Sequence, residues 1–210
     1  MLEAARRHPW GQGHQPAGEV LDLASRRRLA PGEGTPWLGM VVFLGSWAMM
    51  FAALFFAYGL VRARAPAWPP ADLPALPLLV PGLNTAVMAA SSAALVAAGR
   101  ALRLRGRRAA ALLALASGLG ALFLLLQLAV WARLWREGLV PGGGPYPSAF
   151  YALTALHALH VLVGVCALAW LALRARSPRG VRGVSVRLWG MYWHFVGAVW
   201  LVLYATVYVL

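Results

Sequence analysis

The chain has 210 residues, of which 61% are hydrophobic and only 12% are charged, and its formal net charge is +13. This composition excludes an ordinary soluble domain, in which roughly half of the residues are apolar and about a quarter are charged. The basic excess does not indicate a nucleic-acid-binding protein, because the charges lie in short clusters between long apolar runs. We therefore interpret the chain as an integral membrane protein.

An arginine-rich arm, residues 1–36, comes first along the chain. It carries five arginines with scattered Gly and Pro, and it lacks the apolar stretch of a secretory signal peptide. We expect a cytoplasmic arm at 1–36, followed by a membrane domain at 37–210.

Five apolar runs follow the arm, and each is long enough to cross a bilayer as an α-helix, which takes about 20 residues. The runs are 37–61, 77–98, 109–131, 148–173 and 189–210. None of them alternates polar and apolar residues as a membrane β-strand of roughly 10 residues does. The sequence therefore predicts an all-α, polytopic membrane bundle with five transmembrane helices.

The segments outside these runs predict how the bundle is oriented. The arm and the second and fourth loops carry five arginines each, whereas the first and third loops carry two each. Because short cytoplasmic segments are enriched in basic residues, we expect the N-terminus in the cytoplasm and the C-terminus outside.

The acidic residues argue against proton transport by this chain. All six lie in the arm or in loops, at Glu3, Glu19, Asp22, Glu33, Asp72 and Glu137. Pumps and proton relays keep ionisable groups at membrane depth, where each is costly and therefore has a function. A small transporter is disfavoured for the same reason.

Three histidines lie inside the predicted spans: His157 and His160 in the fourth, and His194 in the fifth. One hypothesis is haem ligation by His194 with His157 or His160 across two helices. The alternative, which we prefer, is that each histidine hydrogen-bonds a backbone carbonyl, a Ser or Thr hydroxyl or a lipid headgroup, and we expect the three to order interhelical hydrogen bonds. His194 is expected near the cytoplasmic end of its span and the other two in the outer half of theirs, whereas one haem iron needs both ligands at one depth.

The last span carries small and aromatic residues at helix-packing spacing. Trp193, Gly197 and Trp200 follow one another at intervals of four and three, so they share one helix face. We interpret this face as a packing or lipid-facing surface. No phosphate-binding glycine motif, nucleophile elbow or metalloprotease motif occurs in the sequence, so we predict no catalytic residue, metal ligand or cofactor site in this chain.

Several segments, in chain order, resemble subunit III of the haem–copper oxidases. The last span resembles that family's final helix through Tyr-Trp-His-Phe-Val at 192–196 with Val-Trp at 199–200. The fourth span resembles its Phe-x-Leu-Thr-x-x-His-x-x-His-Val-x-x-Gly segment at 150–164. Further matches lie at 43–46, 51–58, 68–70, 83–85 and 91–92, so the resemblance covers about 37–210.

The resemblance implies a short, five-helix form that lacks the family's first two helices, in the cytoplasmic (inner) membrane of a bacterium. It implies a non-catalytic subunit that binds no haem or copper, packs against the catalytic subunit I and holds phospholipid. The parent complex, a respiratory terminal oxidase, oxidises cytochrome c or quinol and reduces oxygen to water. Residues expected at lipid or subunit contacts are Trp47, Asn84, His157, His160, Trp193, His194 and Trp200.

The chain departs from the family pattern at three positions where an acidic residue is usual. These positions hold Trp47, Val130 and Gly197. Their joint loss keeps two alternatives open: a subunit III-like accessory protein of a nitric oxide reductase, and a haem-binding membrane anchor.

Overall fold

The computed structural model describes residues 34–70, 73–74, 76–104, 108–177 and 180–209. The predicted arm therefore lies, apart from its last three residues, outside the described residues. From Pro36 onward the helices belong to one compact unit.

Five long helices make up the described part of the chain, and no strand occurs in it. All five are long and apolar enough to cross a membrane, which confirms the predicted all-α bundle of five spans. They are α1 (Gly34–Arg64), α2 (Leu79–Arg103), α3 (Ala109–Arg136), α4 (Pro145–Arg176) and α5 (Gly183–Leu203), and a π-helical segment (Tyr204–Val209) follows α5.

The helices extend beyond the predicted apolar runs, mostly into arginines. For example, α4 ends at Arg176, and α5 begins at Gly183, six residues before its apolar run. Apolar runs report only the part of a helix at hydrocarbon depth, whereas an arginine can continue the helix while its guanidinium group reaches the polar region. The prediction also missed the π-helical turn that ends the last span.

The loop between α3 and α4 depends on glycine. Gly138, Gly142 and Gly144 have φ angles of 94°, 81° and 129°, a region that residues with a Cβ atom rarely adopt. Pro145 then occupies the first turn of α4, where a missing N–H costs no hydrogen bond. The loop therefore fixes where α4, the helix that carries His157 and His160, begins.

Helices α2 to α5 form a closed ring in which each helix packs against two neighbours. α2 packs on α3 and α5, and α4 packs on the same two helices. Helix α1 lies outside this ring: only 6% of its most apolar stretch is buried, against 33–50% in the other four helices. The interior of the protein is therefore the interior of the α2–α5 ring.

Two groups of aromatic contacts attach α1 to the ring. Along its middle, the Trp47 and Phe51 rings lie 4.1 and 5.3 Å from the ring of His160. At its end, the Trp68 ring packs edge-on against Tyr58 and Tyr146, and the Trp68 indole N–H donates to the Tyr58 hydroxyl at 3.3 Å. Aromatic side chains therefore hold α1 against the α2–α5 ring, and the backbone of α1 does not pack closely on the other helices.

The described arginines lie at both ends of the bundle in unequal numbers. We call the end that follows α2 and α4 the Arg-rich end; it carries Arg100, Arg103, Arg108, Arg174, Arg176, Arg182 and Arg187. The opposite, Arg-poor end carries Arg62, Arg64, Arg133 and Arg136. Which end faces the cytoplasm stays a prediction.

Candidate functional site

Most of the residues that the sequence singles out lie inside the ring. Asn84, His157, Trp193 and Trp200 are each at most 1% exposed, and His160 is 4% exposed. Trp47 is half-buried, whereas His194 is exposed. The structure therefore buries most of the predicted contact residues in the core, where His157 contacts Trp200.

Aromatic side chains surround His157 at the centre of the α2–α5 helix ring. Its imidazole stacks on the Trp200 ring with a centroid distance of 5.4 Å and an interplanar angle of 28°. The rings of Phe123 and Phe51 approach it edge-on at 5.9 and 6.5 Å. Neither ring nitrogen of His157 has a hydrogen-bond partner in the described part of the chain.

His160 bonds within its own helix. Its Nδ1 lies 2.7 Å from the carbonyl oxygen of Leu156, and because a carbonyl only accepts, Nδ1 is the nitrogen that carries the proton. Its Nε2 is buried without a partner among the described residues. His160 therefore bonds a backbone carbonyl of its own helix, and the prediction that the three histidines order hydrogen bonds between helices stays a prediction.

His194 and His160 lie at similar depths in the bundle but differ in burial. Trp193 lies against Gly164 and Trp200 against His157. This antiparallel register puts His194 about one helical turn from His160 in depth, less than the sequence predicted. His194 faces outward, however, while His160 is buried, so the two imidazoles do not share a site. Among the described residues, no three His, Cys, Asp or Glu side chains group as metal ligands would.

Serine, tyrosine, tryptophan and glutamine side chains donate the hydrogen bonds between helices. Ser91 of α2 donates to the Ala116 carbonyl at 2.7 Å, and Ser117 of α3 donates to the Val165 carbonyl at 3.0 Å. Tyr192 donates to the His160 carbonyl at 3.0 Å. Sequence reasoning missed these donors, although isolated serines in apolar runs are a recognisable sign of helix contacts.

Trp193 occupies a slot that two glycines leave open. It is fully buried, and a Cβ atom at Gly164 would lie 2.6 Å from its Cε3 and Cζ3 atoms. A Cβ atom at Gly120 would lie 2.6 Å from its Cη2 atom. Trp193 therefore packs inside the bundle, and the two glycines make room for its ring.

The three positions at which the resemblance leads us to expect an acidic residue hold uncharged side chains or glycine. Trp47 contacts the His160 ring, and Val130 is buried at 3% exposure. Gly197 faces Met88, whose Cγ would lie 3.6 Å from an added Cβ. Glu137, the acidic residue within the described part of the chain, lies at the Arg-poor end and pairs with Arg133 at 2.7 Å. No carboxylate of the described residues reaches the interior of the ring.

Comparison with known proteins identifies one family. The model of the family described as cytochrome c oxidase subunit III matches residues 31–210. A relative from Synechocystis, named cytochrome c oxidase subunit 3, is 34% identical over 176 residues, which cover 82% of this chain and 74% of the relative. Relatives of the same name from Canis lupus and Lemur catta are each 37% identical over 182 residues; the matches cover 81% of this chain and 67% and 64% of the relatives.

Proposed function

Because this chain belongs to the cytochrome c oxidase subunit III family, we propose that it is the non-catalytic subunit III of a respiratory haem–copper terminal oxidase. The family match over residues 31–210, which includes all five apolar helices, carries the proposal. In this role the chain stabilises the catalytic subunit during aerobic electron transport. The haem and copper belong to partner subunits, and oxygen is reduced to water there.

The interior of the ring supports a structural role. It is filled by aromatic rings around His157 and Trp193, and the described residues put no carboxylate inside it. General acid–base or nucleophilic catalysis needs a side chain within reach of a substrate. A core of stacked rings instead gives the bundle one fixed shape against which a larger subunit can pack.

The outer surface supports subunit I and membrane lipids as partners. Large apolar side chains are exposed along α1, for example Val42 at 65%, Met49 at 76% and Phe56 at 75%. A surface of this kind is covered in a membrane by acyl chains or by another subunit. The arginines of the Arg-rich end fit phospholipid phosphate groups, at about 1 kcal/mol for each arginine near an anionic surface.

We place the chain in the cytoplasmic (inner) membrane of a bacterium as a multi-pass protein, with the Arg-rich end in the cytoplasm. The distribution of arginine supports this orientation, and the Synechocystis relative supports a bacterial setting. The two alternatives from the sequence, an accessory protein of a nitric oxide reductase and a haem-binding anchor, are not favoured, because the relatives reported above are oxidase subunits.

Affinity capture of the tagged chain from native membranes in mild detergent, followed by mass spectrometry and an optical spectrum, tests the proposal. We expect a haem–copper catalytic subunit to co-purify and the haem bands to disappear when that subunit is stripped away. Recovery with a nitric oxide reductase, or haem bands that stay with the isolated chain, would overturn the proposal. Phosphorus analysis of the captured complex tests the phospholipid claim separately.

A further inference from the structure

The interior of the ring contains a layer of uncharged polar side chains, which we call the central polar layer. It consists of Asn84 of α2, Gln127 of α3 and His157 of α4, and these side chains are 0%, 2% and 1% exposed. Three of the four helices of the ring thus contribute a polar group that bulk water does not reach.

Trp200 of α5 links the layer together. Its ring stacks on His157 at 5.4 Å, and its indole N–H donates to the Thr85 hydroxyl at 3.0 Å. Thr85 is the residue next to Asn84, so the Trp200 indole contacts both His157 of α4 and the neighbour of Asn84 on α2. Phe123, one helical turn before Gln127, packs edge-on against Trp200 at 4.7 Å.

Most of the polar atoms of this layer have no protein partner. The amide nitrogen and oxygen of Asn84, both ring nitrogens of His157 and Oε1 of Gln127 are buried without a hydrogen bond to any described residue. Elsewhere in the ring, Ser91 and Ser117 donate to carbonyl groups of neighbouring helices. Burying a polar atom without a hydrogen-bond partner costs free energy. We therefore expect the layer to bind a ligand that supplies both donors and acceptors.

Water fits the layer better than an ion does. Asn84 offers two donors and an acceptor, and a neutral imidazole offers one of each, which matches the two donors and two acceptors of water. A buried water typically makes about three hydrogen bonds to such groups. A cation or an anion would need charged partners in this apolar interior, and the layer has none among the described residues.

We propose that the central polar layer binds ordered water that bridges Asn84 of α2 and His157 of α4. The bridge joins two helices that face each other across the ring, each of which packs directly on α3 and α5. Bound water thereby fixes how far α2 and α4 are shifted along the bundle axis relative to each other. This inference does not depend on the partner subunits or on the proposed function.

The direct test is a structure of the full chain, purified with the partners it retains, at a resolution that shows ordered water. We expect density within hydrogen-bond distance of both the Asn84 amide and a His157 ring nitrogen. A dry layer, a direct Asn84–His157 hydrogen bond, or density that refines as an ion or an organic ligand would each overturn the proposal.

Infrared difference spectra provide a second measurement. In heavy-oxygen water, we expect O–H stretching bands of isolated water to shift in the wild-type protein and to be lost in the Asn84→Leu variant. Thr206→Val is the matched control, because the Thr206 hydroxyl already donates to the Val202 carbonyl at 2.8 Å. If both variants keep the shifting bands, or the wild type never shows them, the water lies elsewhere and the proposal fails. The His157→Phe variant repeats the test from the other helix should Asn84→Leu not fold.

Discussion

The slot for Trp193 makes the strongest prediction about stability. In Gly164→Ala, the new methyl group would lie 2.6 Å from two carbons of the Trp193 ring, whereas ordinary contact begins at 3.4 Å. The ring is fully buried, and a Cβ atom at Gly120 would also lie 2.6 Å from its Cη2 atom. Because the indole is tightly packed on both neighbouring helices, we expect an overpacking cost of about 1–3 kcal/mol.

Gly118→Ala is the matched control for this substitution. Nothing lies within 4 Å of a Cβ atom at Gly118, yet both variants gain the same helix propensity of about 1 kcal/mol. The difference between the two variants therefore isolates the steric cost. At roughly 2–4 °C per kcal/mol for a chain of about 150–250 residues, Gly164→Ala should melt several degrees below Gly118→Ala.

Thermal unfolding of the purified complex, followed by a probe confined to this chain, measures the difference. Trp193→Phe combined with Gly164→Ala should recover part of the loss, because a smaller ring leaves room for the methyl group. Equal melting temperatures for Gly164→Ala and Gly118→Ala would refute the reasoning, since the slot would then have been able to widen.

Three further substitutions test the contacts between helices. Trp200→Phe removes the indole hydrogen bond and part of the stacked ring, so it should lower the free energy of unfolding by about 1–3 kcal/mol. The control, Trp170→Phe at an exposed position, should change that free energy little. Similar losses in the two variants would contradict the core role of Trp200. Ser117→Ala removes a hydrogen bond between α3 and α4 and should cost about 0.6–1.7 kcal/mol, whereas Ser46→Ala, whose hydroxyl bonds within its own helix, serves as the control and should differ less from wild type in a denaturant titration. Trp68→Ala should raise amide hydrogen exchange in the last turns of α1 and leave α3 unchanged; unchanged exchange in α1 would show that this ring does not hold the helix.

The number and approximate position of the helices could be read from the sequence, because a bilayer imposes one length scale on every apolar run. The spacing of Trp193 and Trp200 on one helix face could also be read, but the sequence predicted lipid or subunit contacts for residues that the structure buries. The partner of each side chain could not be predicted. His160 was expected to bond across helices, but its own helix offers the Leu156 carbonyl at 2.7 Å.

The missed parts of the site depend on the register between helices. The serines at 91 and 117 could have been noted in their apolar runs, but their partners, and the slot beside Gly120, exist only where a neighbouring carbonyl or indole lies opposite. The depth of His194 relative to His160 depends in the same way on how α5 is shifted against α4. A hydropathy pattern cannot report such shifts, because it describes each span separately.

The loose attachment of α1 has a consequence for how the protein is made. Helix α1 is synthesised before the α2–α5 ring, yet its aromatic partner His160 and its end partner Tyr146 both belong to α4, three helices later. The aromatic contacts that attach α1 to α4 can therefore form only after α4 has been synthesised.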